Sequence, residues 1–327
     1  MSASAYVPGA AGGQEAGLGL GSGGGAGGNG GGVIHDIGYR SYQGTRLGRG
    51  AIVRALTWHS LRAAFGLRRG VKAKIIPVIA FVIMCLPAVV SAASIALNPH
   101  SPRPITYDTY IPGLRILVML VFIASQGPEL VSRDLRSHTL PLYFARPIRR
   151  IDYPLAKLAA FFLACLIMME IPLLLLYLGT VTQVHGGGAV WTQTRELFPG
   201  LLLGIAWAAV LSGLGLLLAS FSGKRAFATG AVAVFFFLTW TLAGLLTHIG
   251  ENAFGPGNGT PSALAHLAGL ISPFTVLDGL RMWLGGTSPG QIPDPGSYGP
   301  AYGLAFLIFL VIGTAGLVVR YRKVGVA

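Results

Sequence analysis

The sequence predicts an all-α polytopic membrane protein with six transmembrane helices, and three observations carry that prediction. Of 327 residues, 53% are hydrophobic and only 11% charged, with a mean hydropathy of +0.64. That leaves too little polar surface to cover a soluble globule of this size. Six apolar runs are long enough, or nearly so, to cross a hydrocarbon core of roughly 30 Å at about 1.5 Å per residue. They fall at 75–97, 111–127, 155–181, 197–221, 226–250 and 301–319. The cationic residues, finally, sort to one side of those runs.

In chain order, residues 1–50 are expected to form a flexible cytoplasmic tail. The glycine tract at 9–32 loses much backbone entropy on ordering and has few side chains to offset it. The first forty residues hold no apolar core run behind a basic leader, so the amino terminus is expected to be retained. At 51–74 the pattern changes. Ile52, Val53, Leu56, Leu61, Ala64, Phe65 and Leu67 can share one broad face, ringed by Arg54, Arg62, Arg68, Arg69, Lys72 and Lys74. This predicts an interfacial amphipathic helix with Trp58 as a headgroup anchor; a plain basic flank to the first span is the alternative. Residues 75–323 then make the transmembrane domain. Only Ser222, Gly223, Lys224 and Arg225 part the fourth and fifth spans, which predicts a tight antiparallel hairpin. The long connection before span six is rich in Gly and Pro, yet it contains an apolar stretch, 264–284, with Pro273 in its middle. A broken helix re-entering from the outer face fits this pattern; an amphipathic helix lying on that face is the alternative.

With a cytoplasmic tail, six spans put twenty of the 24 Lys and Arg residues on the cytoplasmic side, and only Arg103, Arg115, Arg195 and Arg281 elsewhere. That asymmetry sets orientation and predicts a multi-pass protein of the cell membrane with both termini cytoplasmic. It also accounts for the net charge of +13 without nucleic acid. Cys85 and Cys165 lie within apolar runs and read as small buried hydrophobes.

No catalytic or metal-binding constellation is present. The sequence has no HExxH, no Cys and His cluster with metal spacing, and no GxxxxGK[ST], since Gly223 and Lys224 are followed by Arg225. No cofactor is therefore expected in this chain. Two ionisable residues stand inside spans, Arg115 and Glu170, each roughly 18–20 Å along its helix from the cytoplasmic end. A charge in hydrocarbon costs several kcal/mol unless paired or wet, roughly. The two can meet across spans two and three, as a polar element of a transport path or as a structural ion pair; otherwise Arg115 snorkels outward and Glu170 is protonated. Pro172 is expected to kink span three. Phe235, Phe236, Phe237 and Trp240 offer either an aromatic lining or lipid-facing rings.

Between spans two and three, Pro128 can start a short helix with Glu129 and Asp134 toward its amino end and Arg133 and Arg136 on its exposed side. It reads as a cytoplasmic helix docked at the membrane surface, after which Pro141, Pro147 and Pro154 interrupt the path back.

This stretch resembles the permease subunits of the type-two exporter family of ATP-binding cassette transporters. The family pattern is an acidic residue, a Gly-Thr-Leu step, a Pro-x-x-Arg turn and a Lys opening the third span. Here the matching residues are Asp134, Thr139 and Leu140, Pro147 and Arg150, then Asp152 and Lys157, with no gap. His138 stands where the family has Gly, and Pro141 follows Leu140. The resemblance in layout covers roughly residues 51–323 and includes Ser272, Pro273 and Phe274 in the outer stretch. It implies a permease that forms the substrate pathway and couples to separate ATPase subunits, which would hold the ATP and Mg2+. A second permease copy or a paralogue, and membrane lipid, would be the other partners. By the same resemblance the 129–154 loop is a coupling helix and its sequel. Glu129, Arg133, Asp134, Arg136, His138, Thr139 and Leu140 would meet the ATPase, and Pro147, Arg150 and Lys157 would shape the motif. A secondary transporter or a non-transporting scaffold is the competing reading; the former would usually show internal repeats and more buried ionisable groups.

Overall fold

The computed structural model describes residues 44, 48–67, 69–97, 107, 110, 112–137, 143, 148–252, 262–285 and 290–324. The chain divides into two units, Met1–Thr45 and Arg46–Ala327, and the architecture is that of the second. Its elements are α1 (Arg49–Ala64), α2 (Val71–Leu97), α3 (Pro112–Arg136), α4 (Asp152–Val181), α5 (Gly187–Ala219), α6 (Arg225–Asn252), α7 (Ala263–Ala268), α8 (Pro273–Gly285) and α9 (Gly299–Val324). Short 3-10 turns lie at Gly269–Ile271 and Gly296–Tyr298. Among the described residues six helices, α2 to α6 and α9, are long and apolar enough to cross a membrane. The protein is an all-helical multi-pass membrane protein.

α5 is the hub. It packs on α4, α9 and α3, while α4 in turn carries α2 and α1. In lipid the helices gain nothing by hiding apolar surface from one another, so close backbone approach and good packing must hold them together. Glycine supplies that approach. Where α5 crosses α9, a Cβ on Gly313 would stand 2.8 Å from the carbonyl carbon of Gly213. Where α5 meets α3, Gly127 faces the Gly215 carbonyl, with Phe161 of α4 on the same side. Phe122 and Phe161 stack there at 6.1 Å between centroids.

Two local expectations change. Residues 51–74 are not one helix: α1 ends at Ala64, Gly66 takes a left-handed φ of 68°, and α2 starts at Val71. A Cβ on Gly66 would run into the Ala73 carbonyl, so the close return of the chain selects glycine. Pro128 starts no helix: α3 runs through it from Pro112 to Arg136. The packing on either side sustains the helix where proline removes an N–H, because Ser125, Gln126 and Gly127 are all buried against neighbours. The segment expected to be a separate coupling helix is thus the extension of span two. α4 likewise runs through Pro172 as one helix.

Ahead of α9 the helix breaks, as Pro273 suggested. Ser272 is extended at φ −107° and ψ 136°, and α8 starts at Pro273. Thr275 donates to the Gly269 carbonyl at 2.6 Å, closing the two arms on each other.

Candidate functional site

At one end of the bundle lie α1, the start of α4, the end of α3, the α5–α6 turn and the end of α9; this is the basic end. Three acids there organise the cations of separate elements. Glu129 sits in α3 with its side chain 8% exposed. It bonds Arg69, from the α1–α2 connection, and holds Arg225 of α6 at 2.8 Å. A cation in the first turn of a helix opposes the backbone dipole, so Glu129 offsets what Arg225 costs α6.

Asp134, one turn further along α3, meets Lys157 of α4 at 2.8 Å and accepts the Tyr153 hydroxyl at 2.7 Å. Lys157 is 6% exposed, and a buried ammonium needs such a partner. Tyr153 also packs on Tyr321 at 5.2 Å, which joins the end of α9 to the same group. Asp152 opens α4, where a carboxylate suits the helix dipole. It accepts Arg49 Nε at 2.6 Å, a second bond from the same guanidinium, and the Arg149 amide at 2.8 Å. That side-chain hydrogen bond raises the Arg49 guanidinium above its ordinary value. Ser132 of α3 donates to the Ala219 carbonyl at 3.0 Å, satisfying one of the carbonyls left over at the end of α5.

The charged residues singled out in α3 therefore divide. Glu129 and Asp134 turn inward onto cations of this chain. Arg133 and Arg136 turn outward; Arg133 is 66% exposed and 3.9 Å from Glu129. Arg150 is also exposed. His138, Thr139, Leu140 and Pro147 lie outside the described residues. Sequence reasoning missed Arg49, Arg69 and Arg225 as partners. Each lies far along the chain from its acid, Arg49 by 103 residues and Arg69 by 60, so no local pattern marks the pairs. Beside the cluster, α1 with Tyr143 and Ile148 bounds an apolar groove of about 440 Å³ lined also by Ile52, Leu56 and His59.

Deeper in the bundle Arg115 and Glu170 do not pair. The Arg115 guanidinium lies 4.6 Å from the ring centroid of Trp207 on α5. Trp207 stacks on Phe274 of α8 at 5.5 Å, and Phe274 packs on Phe236 of α6 at 5.4 Å. One cation and three rings thus connect α3, α5, α8 and α6. Glu170 faces Gly204, also on α5; a Cβ there would overlap its carboxylate. Both Glu170 oxygens are buried and have no hydrogen-bond partner among the described residues. The aromatic run of α6 does not share one lining: Phe236 is fully buried, Phe237 is exposed, and Trp240 donates to Gln291 at 2.7 Å.

Two comparisons bear on this arrangement. The family model described as ABC-2 family transporter protein matches residues 106–326. Among curated proteins none matches the chain.

Proposed function

The chain belongs to the ABC-2 family of transporter proteins, and from that premise we propose that it is the permease subunit of an ATP-driven exporter, coupled at its basic end to separate ABC ATPase subunits. In this reading the basic end is cytoplasmic, the protein sits in the cell membrane, and a second permease copy or a paralogue completes the pathway. ATP and Mg2+ belong to the partner ATPase.

The observation that carries the reading is the continuity of α3. A single helix runs from beside Trp207, in mid-bundle, to the exposed Arg133 and Arg136 at the basic end. A rigid rod of this kind passes a displacement at its tip to the transport path, provided the tip is clamped to its neighbours. Glu129 and Asp134 are those clamps, so direct contact with the ATPase falls to Arg133, Arg136 and the segment 138–140. α7, the break at Ser272 and α8 form the re-entrant outer segment. The stack of Phe274 on Trp207 supports this, because it ties the outer segment to the level of Arg115 on the same rod.

The test is co-expression with an ABC ATPase encoded beside this chain, purification in detergent, and assay of ATP hydrolysis. Wild-type chain should hold the ATPase and change its turnover, and Arg133→Glu with Arg136→Glu should release it without unfolding the permease. Unaltered binding and turnover in the double variant would remove α3 from the interface.

A further inference from the structure

We propose that the stripe Arg54, Trp58 and Arg62 on α1, exposed at Arg54 and Trp58 and half-buried at Arg62, is a binding site for the headgroup of an anionic phospholipid. The inference rests on the membrane placement of the spans and not on ATPase coupling.

The three side chains follow one another at intervals of four residues, so they occupy one face over three successive turns. Arg54 is exposed and Trp58 is 53% exposed. The Arg62 guanidinium lies 4.7 Å from the Trp58 ring centroid. Stacked in that way, a guanidinium keeps its N–H edge available to a phosphate while the indole occupies the interfacial layer.

Charge complementarity names the occupant. Residues 49–74 contain no acid. Two of their arginines, Arg49 and Arg69, are neutralised by Asp152 and Glu129. Arg54, Arg62, Lys72 and Lys74 meet no carboxylate among the described residues. These cations border a surface that must face lipid, because Leu67, Val71, Ile75 and Ile79 recur every four residues and are all exposed, Val71 by 77%. An unpaired basic stripe with an exposed indole, at the foot of a lipid-facing helix, matches an acidic headgroup whose acyl chains run up α2. The stripe is also separate from Arg133 and Arg136, the contacts assigned to the ATPase.

The full chain, purified in detergent and stripped of lipid, is titrated with phosphatidylglycerol or with phosphatidylcholine of the same chain length, and bound lipid is counted by native mass spectrometry. Wild type should prefer phosphatidylglycerol roughly tenfold or more, as two juxtamembrane cations supply. Arg54→Gln with Arg62→Gln should abolish that preference, Arg54→Lys with Arg62→Lys should keep most of it, and Arg322→Gln with Lys323→Gln should leave it unchanged. Equal binding of the two lipids by wild type overturns the proposal. So does a Gln variant that keeps its lipid preference, including one that instead loses a co-purifying ATPase, which would make the stripe a protein contact.

Discussion

The Tyr110 hydroxyl donates to the Met84 carbonyl at 2.6 Å and accepts from the Ala88 amide at 3.1 Å. It bridges a donor and an acceptor of one α2 turn, the turn that contains Pro87. Proline lacks an N–H and crowds the preceding turn, so a helix in lipid needs outside help at such a place. A tyrosine ahead of α3 braces that turn at Met84 and Ala88. Tyr110→Phe is expected to cost about 1–2 kcal/mol, the price of leaving buried backbone groups underbonded. A lower thermal midpoint in detergent and faster hydrogen exchange around Ala88 would register it, whereas an unchanged exchange pattern would show that the turn holds without the hydroxyl.

Glu129→Gln removes the charge that Arg69 and Arg225 share. With the acid buried but Arg225 largely exposed and screened by solvent, the expected loss is about 2 kcal/mol, less than breaking a fully buried pair costs. Coupling should fall with it, because the α3 tip is no longer held to the α1–α2 connection and α6. A double-mutant cycle with Arg69→Gln gives the check: strict additivity of the two stability changes would mean that the pair does not act as a clamp.

The six spans were legible because a lipid solvent demands long apolar runs, and the runs at 75–97 and 226–250 stand out without regard to their neighbours. What one helix does beside another was not legible. For Arg115 and Glu170 the sequence gives depth along the helix, which says nothing of azimuth, and the structure turns the arginine to Trp207 and the acid to Gly204. Pro128 was read as a helix start because local rules see the missing N–H and not the packing of Gly127 against Gly215 and Phe161. The local motif singles out Glu129 and Asp134, but their partners Arg69, Arg225 and Lys157 lie on other elements. Pairing over such distances has no local signature. Pro273 was read as a break, and there the local rule sufficed.

Gly313→Ala should be costly and Gly244→Ala should not. A methyl at Gly313 meets the backbone of Gly213 and Leu214 at 2.8 Å, and neither backbone can yield without parting α5 from α9. The expected cost is about 1–3 kcal/mol. Nothing lies within 4 Å of the corresponding position at Gly244 in α6, where the better helix propensity of alanine is worth about 0.5–1 kcal/mol in the other direction. Comparing the two thermal midpoints isolates the crossing from the general effect of removing a glycine; equal shifts would contradict it.

Glu170→Met is expected to raise stability. The two carboxylate oxygens lie buried beside Gly204 with no hydrogen-bond partner among the described residues, and an unmet polar group costs about 1–3 kcal/mol. Methionine fills a similar length with apolar atoms and should recover part of that cost as a higher thermal midpoint. Glu170→Gln should not, since an amide in the same place adds donors that also lack partners. Transport measured on the same variants then decides why an acid stands there. A Met variant that is more stable and inactive assigns Glu170 to the moving state of the α4–α5 seam, where the carboxylate finds water or substrate. A Met variant that is less stable would show that the carboxylate is held by the fold and that its apparent isolation is not a cost.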